Sequence, residues 1–210
     1  MGIRRFTPKT VPRRVTLAGM PFPEPDTLKE IVEPAARQRG LDVEDIKTTQ
    51  AGKKSQVVIR VDGDTHPSSD VLEELSREIS GIFDAAEADG KLNFGAGYTL
   101  EVSTPGVDLP LTAPRHWRRN RGRLVSIEHG DVPGKSEKWR IGALDDADHP
   151  QTVALFRSQK KQLETRIERL ENISRAVVEI EFAQTAAAEK EAADLPVAQA
   201  EEKAAANRED

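Results

Sequence analysis

Tyr98, Leu100 and Val102 alternate with Thr99, Glu101 and Ser103, and the alternation stops at Pro105-Gly106. A period of two is that of a half-buried strand. Proline cannot donate to a strand ladder and glycine admits positive φ, so the strand ends there. Pro110 follows within a few residues. Two prolines around a glycine make a short, stiff connector. Before it, helix and strand patterns alternate; after it, the patterns are strands. The chain is therefore expected to fold as two small domains, 26–109 and 111–183, joined by a hinge. Its 210 residues and 37% hydrophobic content suffice for two thin cores. Only 4% of residues are aromatic, so those cores are expected to be aliphatic.

In the first half, Asp26 is a plausible N-cap for a helix over 26–39 with Leu28, Ile31, Val32, Ala35 and Ala36 on one face. Gly40 is its stop, and Pro34 is expected to kink it. Strands at 41–49 and 56–61 flank the turn Ala51-Gly52-Lys53-Lys54 and form an antiparallel hairpin. Asp70 and Glu73 have the spacing of a capping box. They open a helix whose apolar face is Val71, Leu72, Leu75, Ile79, Ile82 and Phe83, and residues 84–97 read as a loop. Helix, strand, strand, helix, strand gives a small α/β sandwich, a three-stranded sheet with both helices on one face.

In the second half, a short helix over 114–120 ends before Gly122. Five strands follow, at 123–128, 138–144, 152–156, 162–167 and 176–182, separated by turns at 131–134, 145–150 and 158–161. Five short strands suggest a small β-barrel, because closure removes exposed edges. The overall class is α+β with disordered termini. Residues 184–210 are mostly Ala and Glu and read as a disordered acidic tail. Residues 1–25 hold five prolines, with Arg4, Arg5, Lys9, Arg13 and Arg14 against Glu24, and read as a disordered basic arm. Two readings of the arm stay open: a grip on RNA, or an upstream start with Met20 as the true first residue.

Zero cysteines exclude disulfides, thiolate nucleophiles and Cys-based zinc sites, and suit a reducing cytoplasm. No apolar run approaches the ~20 residues of a membrane helix, and no signal peptide is visible. The net charge of −5 hides an asymmetry. Residues 26–110 hold 9 basic and 17 acidic side chains; residues 111–183 hold 14 and 11. Two faces of opposite sign suit a partner with both cations and phosphates.

The run Leu100-Glu101-Val102-Ser103-Thr104-Pro105-Gly106, followed by Asp108 and Pro110-Leu111, resembles the signature of the bacterial ribosome maturation factor RimP family. Thr104 stands where the family usually has Ser, and Leu109 where it has Arg, so a cation is lost. Ile173, Arg175-Ala176 and Phe182 resemble the family's closing segment, and the likeness covers 26–183. The resemblance implies an SH3-like or Sm-like barrel for the second domain. It implies a monomeric, non-enzymatic cytoplasmic factor that needs no cofactor. That factor would bind the free small (30S) ribosomal subunit and assist its late assembly, including incorporation of small-subunit ribosomal protein twelve.

From the residues themselves, the strongest candidate for RNA contact is Arg115, Arg118, Arg119, Arg121 and Arg123. The first three fall at i, i+3 and i+4 on one helical face, and guanidinium forks match phosphate. The bland alternative is a solvated face or ion pairs to the acidic half. His116 or Trp117 would stack on an unpaired base, or Trp117 packs inward. Asp42, Glu44, Asp45, Asp62, Asp64, Asp70, Glu73, Glu74 and Glu78 would attract a basic ribosomal protein, or serve only solubility. Ser103, Thr104, Pro105, Gly106, Asp108 and Pro110 form the hinge motif. Asp62, Asp64, His66, Ser68, Asp70 and Glu73 have calcium-loop spacing, but Pro67 occupies the position that requires glycine. Gly95-Ala96-Gly97 precedes a strand rather than a helix, the wrong context for a dinucleotide loop. Ser103 lies in no nucleophile elbow, and no acid–base pair is visible. The rival readings are an Sm-like RNA-binding module acting on small or messenger RNA and, more remotely, a metal-dependent hydrolase.

Overall fold

The computed structural model describes residues 21–130, 134–145, 150–159, 162–182 and 187–206. The basic residues of the N-terminal arm, Met20, and the centres of the three turns expected in the second half lie outside them. The chain divides into two compact units, Met1–Pro105 and Gly106–Asp210.

In the first unit, α1 spans Pro25–Arg37. Proline opens it because its missing N–H is at a position with no intrahelical partner. Asp26 is therefore inside the first turn, and Glu24 is the N-cap, without a side-chain cap bond. The helix continues through Pro34, which is exposed and has no N–H to donate to the preceding turn. Gly40, at φ 68°, turns the chain into β1 (Leu41–Thr49). A 3-10 turn at Gly52–Lys54 leads to β2 (Ser55–Gly63), antiparallel to β1 as expected.

Helix α2 spans Ser69–Ala88. Its N-cap is Ser68, whose Oγ accepts from the Val71 N–H, rather than the expected Asp70–Glu73 box. It also runs further than expected, because Ala86 extends the buried stripe of Leu75, Ile79 and Phe83. Strand β3 (Tyr98–Ser103) then pairs parallel with β2, making a β-α-β crossover and a sheet of order β1-β2-β3. Leu28 and Val32 of α1, Leu75 and Ile79 of α2, and alternate residues Val57, Ile59 and Val61 of β2 share one core, so both helices cover the same face.

The core of this unit is not purely aliphatic. The Phe94 ring stacks on Tyr98 at 4.1 Å and packs on Phe83 and on Phe22, which was assigned to the arm. Burial, with Asp84 and Glu87 nearby, holds the Tyr98 phenol above its usual value of 10.0.

In the second unit, α3 (Pro114–Arg119) precedes β4 (Leu124–His129), β5 (Ser136–Leu144), β6 (Thr152–Gln159), β7 (Gln162–Arg169) and β8 (Ile173–Val178). All five expected strands are present, and β8 begins and ends earlier than its pattern suggested. They form an antiparallel sheet of order β7-β6-β5-β4-β8. Among the described residues β7 and β8 do not pair with each other, so the sheet is open where a closed barrel was expected. One face packs Trp117, Val125, Ile127, Trp139, Ile141, Val153 and Leu155.

The opposite face carries Ala154 and Phe156. Residues expected to form a structureless tail cover it: α4 (Ala187–Ala193) and α5 (Val197–Ala206). Ala192 and Ala200 pack directly on Ala154 and Phe156, with Leu163, Ile167 and Leu195 around them. Gly142 lies under the Phe156 ring, where an added Cβ would collide with it.

Candidate nucleic-acid interface

Helix α3 places Arg115, Arg118 and Arg119 at helical spacing, and Arg121 and Arg123 lie between it and β4. The start of α3 is held by His116, whose Nδ1 accepts from the N–H groups of Thr112 and Ala113 at 3.0 and 3.2 Å. That ring works as a local cap. Trp117 is 2% exposed in the core, so it packs inward and does not present a stacking face.

Arg118, Arg121 and Arg123 are exposed, while Arg115 and Arg119 are half-buried. Arg123 donates to Asn120 Oδ1 at 3.1 Å. Arg121 donates Nε to the Ala193 carbonyl at 2.7 Å and Nη2 to the Leu195 carbonyl at 3.1 Å. The sequence placed these partners in a detached tail. A bond across 72 positions leaves no local signal, so pattern reading could not find it.

Sequence reasoning also missed Arg140. It is 3% exposed and donates to both carboxylate oxygens of Glu181 at 2.9 Å, to Glu189 at 3.0 Å and to the Gly122 carbonyl at 2.8 Å. Burial works against its charge, but the hydrogen bonds and charges of Glu181 and Glu189 outweigh it and hold the guanidinium above its ordinary value. On the other side of β5, Arg157 and Arg166 lie over Trp139, 4.1 and 5.0 Å from the ring centroid. Glu137 and Glu164 neutralise them, so they add no net positive field.

The connector residues lie at the division between the units. Ser103 ends β3, and the Leu109 N–H closes a turn on the Gly106 carbonyl at 3.2 Å. Gly106 is not among the glycines with positive φ, contrary to expectation. Its lack of a side chain matters sterically instead, since a Cβ there would meet the Asp108 carboxylate. Thr104, Pro105 and Pro110 are half-buried and Asp108 is exposed.

In the first unit, the sheet face away from the helices is polar. Asp42 stands opposite Asp62, and Asp45 opposite Arg60. Lys47 and Arg60 approach Asp45 at 3.8 and 4.0 Å. Asp70 and Glu74 lie on α2 with Glu73 and Glu78, which pair with Arg77 and Arg39. Asp62 reaches His66 at 3.4 Å. Among the described residues, no group of three or more His, Asp or Glu is arranged to hold a metal, and no helix is long and apolar enough to cross a membrane.

Residues 31–108 match the family model of the RimP N-terminal domain, a span that includes Ser103 to Asp108 of the connector. The chain is 64% identical over 174 residues to the ribosome maturation factor RimP of Corynebacterium aurimucosum, covering 83% of this chain and 92% of that protein. It is 50% identical over 167 residues to the RimP of Corynebacterium diphtheriae, covering 80% and 88%. It is 44% identical over 186 residues to that of Corynebacterium kroppenstedtii, covering 84% and 97%. With identity at this level over nearly the full length of these proteins, and the connector motif inside the matched domain, the chain belongs to the ribosome maturation factor RimP family.

Proposed function

We propose that the protein is a ribosome maturation factor that binds the free small ribosomal subunit and assists its late assembly, including incorporation of small-subunit ribosomal protein twelve. The observation that carries this reading is the near full-length identity to proteins named for ribosome maturation. The division of charge supports it. The acidic first unit suits a basic ribosomal protein, and the α3 arginines suit ribosomal RNA phosphates. Selective binding to an unfinished particle would shift its population toward the assembly-competent form.

In this reading the protein is a non-enzymatic cytoplasmic monomer and uses no cofactor. The five-stranded sheet is taken as an SH3-like or Sm-like fold, supported by β8 returning beside β4. A second reading, an Sm-like module on small or messenger RNA, draws on β7 and β8 being the outermost strands of the sheet among the described residues, where copies would join into a ring. Sizing chromatography separates the two, since a ring elutes as a hexamer or heptamer.

The test is co-sedimentation. The intact protein is expected with free small subunits and not with assembled ribosomes. An Arg118→Glu, Arg119→Glu double variant is expected to lose most of that binding while keeping its fold by circular dichroism. Unaltered co-sedimentation removes the arginine assignment. If all five arginines meet phosphates, the logarithm of affinity falls with that of salt at a slope of about −3 to −4.

A further inference from the structure

Helices α4 and α5 cover the Ala154 and Phe156 face, and two sets of contacts hold them there. In the first, the fork of Arg121 takes the carbonyl oxygens of Ala193 and Leu195. Ala193 is the last residue of α4, where carbonyls lack intrahelical donors and partial negative charge collects, and Leu195 lies two residues beyond it. Two oxygens on one guanidinium is the arrangement by which arginine takes phosphate. In the second, Glu189 of α4 accepts from Arg140 Nε at 3.0 Å and from the Ser158 N–H at 2.7 Å.

The cover is weakly built. Its helices have 7 and 10 residues, shorter than the ~12–15 at which an isolated helix holds in water. Their buried groups are the methyls of Ala192, Ala193, Ala200 and Ala204. Residues 187–206 carry five acidic and two basic side chains, so the segment brings a net charge of −3 against the arginine-bearing unit. A short acidic segment that offers oxygens to Arg121 has the chemistry of a polyanion, attached to the protein it would compete with.

We propose that α4 and α5 are an internal competitor for the arginine group: they occupy Arg121 until a nucleic-acid phosphate backbone displaces them and uncovers the Ala154 and Phe156 face. This rests on the reading of the arginines as RNA contacts. A single phosphate or a sparse anion does not replace both sets of contacts, so the segment restricts binding to a dense phosphate array.

The test uses polyuridylate at low salt. In the full chain, amide hydrogen exchange over 187–206 is expected to speed several-fold when polyuridylate is bound. A single thiol provides a second readout, since the chain has no cysteine. Ala200→Cys, at a fully buried position, is expected to react with maleimide several-fold faster in the bound state. A chain ending at Phe182 is expected to bind several-fold tighter, with a salt slope steeper by about 0.7 as Arg121 is freed. If that chain does not fold, Glu189→Gln in the full chain is expected to tighten binding in the same direction.

If polyuridylate binds and residues 187–206 keep their protection, the competitor is overturned while the arginine reading stands. That holds even if the shortened chain binds tighter, because a tail acting only as distant charge does this without moving. If neither the full chain nor Glu189→Gln binds polyuridylate, the arginine reading falls and takes the competitor with it.

Discussion

Arg140 carries its charge at a site closed to solvent, with Glu181 and Glu189 on either side of its guanidinium. Removing it leaves two carboxylates facing each other without a cation. An Arg140→Ala variant is expected to lose about 3 kcal/mol, the lower end of the range for breaking a buried pair, since Glu181 is partly solvated. Urea denaturation of the second unit measures it. Tyr98 makes a different statement about charge. Its phenol is held above 10.0 in the folded chain by burial, then by Asp84 and Glu87. The unfolded chain therefore releases that proton first as pH rises. Stability that is complete below pH about 10 is expected to fall above it, and Tyr98→Phe is expected to flatten that fall. Equal alkaline loss in both proteins would contradict the assignment.

At the scale of elements, much was legible and the misses have physical reasons. Strands such as β2 follow two-residue alternation bounded by turn residues, and β6 is a short continuous apolar run, Val153 to Phe156; both signals survive in a single sequence. The sequence pattern of α2 stops at Phe83 because Asp84 to Gly97 is rich in Asp, Ala and Gly, yet alanine is the best helix former and Ala86 completes the stripe. The parallel pairing of β2 and β3 was available in principle, since a helix between two strands implies a crossover. The tail helices were not legible. Alanine methyls give no apolar stripe against a polar background, and the face that receives them comes from β6, more than thirty positions earlier. Nor could the partners of Arg121 be read, for the same reason of distance along the chain. The cap of α2 offers a local test. Ser68→Ala is expected to cost about 1 kcal/mol in thermal or urea unfolding of the first unit, because the Val71 N–H loses its acceptor. Asp70→Ala is expected to cost only the few tenths due to its charge near the helix start. Equal losses would restore the expected capping box.

For the whole molecule, the division at Pro105 and Gly106 is matched by the cores. Among the described residues, the core of β1 to β3 draws only on the first unit, and the two cores of the five-stranded sheet only on the second. Residues 21–105 and 106–210, expressed separately, are therefore expected each to fold cooperatively, which circular dichroism melting would check. A fragment without a cooperative transition would show that its unit depends on the other. The chain's two tryptophans, Trp117 and Trp139, both sit in the core of the second unit, while its single tyrosine lies against Phe94 in the first. Each half thus carries its own intrinsic chromophore. Indole emission reports the loss of one half, phenol absorbance the loss of the other, so their order of melting can be read in one unlabelled sample.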